Sequence, residues 1–242
     1  MVRYKIHTRS THSRRSYNNE MRGEEVQSLL TKVHFMMSIA LAVTAVFAWV
    51  CIGRDLFSID PETQKMMMSE YWIGALVAEI VVVLILIFGI DHLHNGVAGL
   101  LFFFYAALNG VTIAPVVAAY TEGSVALAFV VTGGTFLAMS IYGATTKKDL
   151  DSIGAFLFMG LCGLILAMLM NFLFRNELMD FLISCAAVLI FTGLTAWDTQ
   201  KIKSGKIPGG RAGNKVVFGA LMLYLDFINL FLHLLRLLGQ KK

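Results

Sequence analysis

Charge is scarce in this chain. Asp, Glu, Lys and Arg together make up 15% of its 242 residues, against 57% that are hydrophobic. Reading for apolar runs of about 20 residues, the length that crosses a hydrocarbon core of roughly 30 Å, gives seven: 33–53, 71–90, 97–119, 125–146, 153–174, 179–198 and 217–238. These consume most of the chain and leave no room for a soluble domain. Cysteine is scarcer still, with three residues. Cys51, Cys162 and Cys185 fall within or at the ends of apolar runs and form no CxxC or His/Cys ligand pattern, so they read as small packing residues. No HExxH, Gly-x-Ser-x-Gly or Cys/His nucleophile pattern is present, and the chain is expected not to be an enzyme. Internal repeats and low-complexity tracts are lacking too. Residues 1–32 contain no apolar core, so the first span is expected to act as its own insertion signal.

The fold class that follows is an all-α integral membrane protein, a seven-transmembrane-helix bundle over residues 33–242. Residues 1–32 are expected to form a basic, disordered arm. The net charge of +4 could suggest nucleic acid, but its placement points to a lipid bilayer instead. Seven Lys/Arg lie in residues 1–32, two at 147–148 and five in 199–216, while Arg54, Lys65, Arg175, Arg236, Lys241 and Lys242 fall on the other side. Fourteen against six places the N-terminus in the cytoplasm. A bacterial inner (plasma) membrane is the expected location, with an organellar membrane as the alternative. Seven full crossings put the C-terminus outside; a re-entrant last segment returns it inside.

Residues 120–124 and 147–152 allow only tight turns, so neighbouring helices run antiparallel. The 54–70 loop is acidic and Met-rich, and Ile207-Pro208-Gly209-Gly210 breaks the helix before the last span. In span three, Asn109-Gly-Val-Thr-Ile-Ala-Pro115 predicts a kink near Val111, because Pro removes an amide donor and clashes with the preceding turn. Gly133-Gly134 and the Gly160–Gly163 region read as close-packing surfaces. Trp49, Tyr71 and Trp72 read as interfacial anchors.

Chemistry concentrates in the acids that the spans retain. Asp226 stands in Phe218-Gly-Ala-Leu-Met-Leu-Tyr-Leu-Asp-Phe-Ile-Asn-Leu-Phe231, where a charge costs about 2.5–3.5 kcal/mol on insertion scales. Asp226, Asn229, His233 and Arg236 recur at spacings of 3, 4 and 3, one face of a helix whose other faces are apolar. Such a stripe must point into the bundle, which predicts a central last helix. Arg236 reads as snorkelling to headgroups. Asp198 closes the preceding span; alone it forms an ordinary surface pair with Lys201 at i+3. If the two aspartates meet, charges about 4 Å apart repel by about 4 kcal/mol at an effective dielectric near 20, which favours a pair that shares one proton and titrates as a unit. The pair is also a hard-oxygen site, too incomplete to store calcium but suited to transient binding during permeation. Glu79 is the third intramembrane acid, mid-span and without a local partner. With Asn109, Asn229 and His233 it completes the candidate pathway and gating residues. His92 and His94 read as loop residues with a modest gating role.

These segments resemble the Bax inhibitor-1 family, the transmembrane Bax-inhibitor-motif proteins, in a bacterial form. The resemblance is carried by Ala107-Leu-Asn-Gly-Val-Thr-Ile-Ala-Pro115, by Gly133-Gly-Thr-Phe through Tyr142-Gly with Lys147-Lys-Asp-Leu150, and by Trp197-Asp-Thr-Gln-Lys-Ile-Lys203. Most specific is Leu223-Tyr-Leu-Asp-Phe-Ile-Asn-Leu-Phe231, followed by Leu234-Leu-Arg236. The resemblance implies a seven-helix bundle with the last helix central and a pH-sensitive calcium leak. It matches Asp198 and Asp226 to a sensor pair and Glu79 to an acid on helix two. It also implies a basic latch near the inner end of helix two, where this chain has Ile90-Asp-His-Leu-His94 instead. The expected function is therefore a calcium-permeable leak with calcium as permeant ion, protons as regulators and no cofactor. The alternative is a non-conducting membrane regulator of a partner such as a membrane-bound ATP-dependent protease, docked through the basic arm. Aspartyl-protease chemistry by the two acids ranks third, because the Gly-Asp motif it needs is missing.

Overall fold

The computed structural model describes residues 7–53, 70–174 and 176–242, with side chains from residue 25 onward except at 70, 71 and 212. Seven helices follow one another: α1 His7–Gly53, α2 Glu70–Gly89, α3 Asn95–Ala118, α4 Glu122–Thr145, α5 Asp151–Phe174, α6 Glu177–Ser204 and α7 Ala212–Leu238. Each contains a stretch long and apolar enough to cross a membrane, so the chain is an all-α integral membrane protein. Apolar side chains such as Phe88 and Leu100 stand on its surface; such a belt is stable against lipid and not against water. Residues 54–69, which include Arg54 and Lys65 of the expected loop, lie outside the described residues, as do Arg175 and the Tyr71 side chain.

Several boundaries move from those read in the sequence. Residues 1–6 of the expected arm lie outside the described residues, but from His7 the helix runs into the first span unbroken. No helix break falls at residue 32, since residues 7–32 contain no proline and include good helix formers such as Arg, Glu, Gln and Leu. α6 continues past Asp198 to Ser204, ending where Gly205 takes a left-handed conformation at φ 70°, the usual helix terminator. α3 passes through Pro115 without interruption, and the Trp72 indole donates to the Thr112 carbonyl at 3.2 Å. Trp72 is therefore tied to the helix that carries the proline.

α7 is the most buried element: 72% of its spanning window is inside the protein, against 11–44% for the others. It packs on α1, α3, α4 and α6, while α2 leans on α3 and α5 on α6. Tight contacts occur where glycine removes the side chain. A Cβ at Gly143 would overlap the Ala196 backbone, one at Gly154 the Trp197 ring, and one at Gly110 the Thr44 carbonyl. Gly133, Gly134 and Gly163 meet nothing, so the packing surfaces expected there are absent; of that set Gly160 alone touches a neighbour, Ile190.

Both ends of the bundle are laced. On one face, Asp91 Oδ1 accepts from the amides of Gly209 and Gly210, both at 2.9 Å. Asn214 Nδ2 donates to the Ile90 and Leu93 carbonyls at 2.7 and 2.8 Å. These bonds tie the α2–α3 turn to the α6–α7 connection. On the same face, Gln200 clamps the α4–α5 turn, accepting from Leu150 N and donating to the Lys148 carbonyl. Lys206 pairs there with Asp151 at 2.7 Å, and that hydrogen bond raises the Lys206 pKa from its ordinary value. On the opposite face, the tail after α7 pairs with the α3–α4 turn through a bridge between Tyr120 and Lys241. The last span thus crosses fully, and the re-entrant alternative is excluded.

Candidate functional site

Asp198 on α6 and Asp226 on α7 line one cavity of about 580 Å³ between α5, α6 and α7. α6 reaches beyond Asp198 before it turns, and α7 starts at Ala212. Helix length alone does not level them, since Asp198 lies about 9 Å before the end of α6 and Asp226 about 21 Å after the start of α7; the shared lining is what brings the two carboxylates together. Both are buried. Among the described residues, Asp198 Oδ1 and Asp226 Oδ2 each lack a hydrogen-bond partner, a rare condition for a buried polar atom. The rest of the lining is mostly apolar, including Leu161, Ile165 and Met222, but Asn229 and Lys201 also reach it.

Lys201 does not form the surface pair with Asp198 that its spacing suggested. Its ammonium lies over the Trp197 ring, 4.0 Å from the centroid, a cation–π arrangement. The one ion pair among the described residues is Lys206–Asp151. Lys201 therefore stands beside the aspartates as a cation committed to a ring. Trp197 is itself held by packing on Gly154 and by donation to Asp151 Oδ1 at 3.2 Å.

The remaining stripe residues divide. Asn229 donates to its own helix, to the Leu225 carbonyl at 2.8 Å, and keeps contact with the aspartate cavity. His233 is buried, bonds Ser184 Oγ at 3.4 Å through Nδ1 and stacks on Phe191. Arg236 is exposed and reaches two cavities at the far end, of about 500 and 540 Å³, with Glu177, Asp180 and Lys241.

Glu79 and Asn109 belong to a second buried site on the opposite side of α7. Glu79 accepts from Asn109 Nδ2 at 2.5 Å and from Thr112 Oγ1 at 2.6 Å. The Tyr224 hydroxyl donates to Asn109 Oδ1 at 3.1 Å and pairs with Thr44 Oγ1 at 2.7 Å. Thr44 is also hydrogen-bonded to the Ala106 carbonyl at 2.9 Å. Four helices thus meet in one network, and the acid read as lacking a local partner has two from α3. Sequence reasoning missed Thr44, Thr112 and Tyr224; the i, i+3 pairing of Asn109 with Thr112 was the available signal. The histidines in place of a latch do not reach the aspartates. His94 Nδ1 accepts from the Gly96 amide and caps α3.

Residues 26–242 match the family model described as inhibitor of apoptosis-promoting Bax1. The chain belongs to the Bax inhibitor-1 family. Among its relatives, the inner membrane protein YbhL of Escherichia coli is 39% identical over 222 residues, covering 90% of this chain and 93% of the relative. A Borreliella burgdorferi protein is 41% identical over 222 residues, covering 88% and 92%, and one from Rickettsia prowazekii is 36% identical over 227, covering 93% and 94%. The Bax inhibitor-1 match takes in α1 from residue 26 and the other six helices whole, and Asp198 and Asp226 lie inside it.

Proposed function

We propose that this family member is a pH-sensitive, calcium-permeable leak of a bacterial inner membrane, with the basic face toward the cytoplasm. The supporting observation is the shared cavity, where two acids from adjacent helices each keep a buried oxygen unpartnered. Unfilled oxygen acceptors in an apolar cleft suit a proton or a partly dehydrated divalent cation, and two carboxylates supply too few ligands to hold calcium permanently. Binding is then strong enough for entry and weak enough for exit, which conduction requires. Because Asp198 and Asp226 sit on different helices, a change in their shared protonation alters the α6–α7 contact. No enzymatic step is assigned to the site.

Calcium flux into proteoliposomes across pH 6–8 tests this reading. The parent protein should pass calcium at a rate that changes with pH. Asp198→Asn and Asp226→Asn should each flatten that dependence, and an unaltered pH profile in both would remove the sensor role. The rival reading, a regulator docked through its basic segment, predicts a different outcome: deleting residues 2–25 abolishes the cellular phenotype while flux persists.

A further inference from the structure

The polar stripe of α7 begins in the aspartate cavity and ends in the far cavities, and one buried residue interrupts it. Asn229 lines the first and Arg236 the others. Between them lies His233, buried and lining none. Its two neighbours on α6 face opposite ways: Phe191, stacked on its ring, lines the aspartate cavity, and Ser184, bonded to its Nδ1, lines a far cavity. Met168 on α5 lines both sides. Phe191 and Ser184 stand roughly 10 Å apart along α6, and Leu164, Ala187, Leu230 and Leu234 are buried in the cluster that also holds Phe191, so the cavities are separated by a layer of which His233 is the polar member.

We infer that His233, seated between Phe191 and Ser184, is the plug of the layer separating the aspartate cavity from the far cavities, a layer whose apolar cluster Met168 packs against. Its bulk closes the gap, and Ser184 and Phe191 fix its orientation. α5 packs on α6 and is the least buried helix, so a small outward movement of α5 would take Met168 from the barrier without breaking the core around α7. The inference rests on the leak reading only in treating the cavities as parts of one route.

Thiol labelling tests the plug without measuring transport. In the full chain with Cys51, Cys162 and Cys185 replaced by Ala, Asn229→Cys reports water access to the aspartate cavity. A cationic methanethiosulfonate reagent is applied to sealed vesicles in which Gly123→Cys is labelled and Lys148→Cys is not, so that it arrives from the far face. Labelling should be slow with His233 present and at least tenfold faster with His233→Ala or with Met168→Ala. His233→Phe, which restores the bulk, should return it to the slow rate. Met168 is only half-buried, so its variant keeps the test available if His233→Ala fails to fold. Fast labelling with His233 in place, or unchanged labelling in the folded Ala variants, overturns the plug. Faster labelling with no calcium flux in any variant leaves the plug standing and removes the leak. Flux that persists with labelling unchanged does the reverse.

Discussion

At the scale of single residues, the acids do different work because of what surrounds them. Glu79 is saturated by donors from Asn109 and Thr112, whereas Asp198 and Asp226 each keep an oxygen free. A satisfied buried group contributes to stability, while an unsatisfied one costs it; natural proteins keep the second kind where function requires it. Tyr224→Phe tests the structural assignment. It removes the donor to Asn109 Oδ1 and the partner of Thr44, and should cost about 0.5–2 kcal/mol, the range for interhelical hydrogen bonds in membranes. Reversible unfolding in mixed detergent micelles would measure it. A variant as stable as the parent would show that the Tyr224 bond contributes nothing. Glu79 was legible as an acid in an apolar run; its partners were not, because they lie about thirty residues further along and belong to another helix.

The helices were legible as seven runs, since each must satisfy its own backbone in lipid. What the runs did not reveal was where they end and which faces touch. The apolar run of α6 ends at 198, where the polar Asp-Thr-Gln-Lys segment begins, and says nothing of how far the helix goes on; those residues remain helical and bind the α4–α5 turn through Gln200. Small residues likewise suggested contact at Gly133 and Gly134, but a glycine matters only opposite a neighbour. Gly143→Val should break the approach of α4 to α6, where its Cβ overlaps Ala196, and cost about 1–3 kcal/mol as overpacking does. Gly134→Ala should stay within about 0.5 kcal/mol of the parent. Thermal aggregation of the two variants in detergent ranks them, and equal midpoints would contradict the packing described.

For the whole molecule, the sequence motifs that carry the family resemblance turn out to touch one another. Lys147-Lys-Asp-Leu150 and Trp197–Lys203 form one hydrogen-bonded unit around the end of α6 that carries Asp198. Periodicity could not show this, because it concerns faces of one helix and not bonds between distant turns. Asp91 makes the corresponding tie for α7. Asp91→Ala removes the acceptor for Gly209 and Gly210 and should release the α6–α7 connection. Proteases added to the basic face should then cut within 205–211 several-fold faster than in the parent protein. Cleavage at the parental rate would show that Pro208 and Asn214 hold the loop without it.

The deep burial of α7 also bears on how the protein is made. The other six helices precede α7 in the chain and leave the ribosome before it, so their inward polar groups, Asn109 and Thr44 among them, enter the bilayer without Tyr224 to meet them. α1 with α3, α2 with α3, α4 with α6 and α5 with α6 can pair early, but α1, α3, α4 and α6 each also present a face to the same late-arriving helix. Assembly therefore finishes in one step, when α7 slides into a gap already bounded by earlier helices. A translation arrest before that point would leave inserted spans that already touch one another but lack the helix on which four of them pack, an interior that quality control can recognise as unfinished.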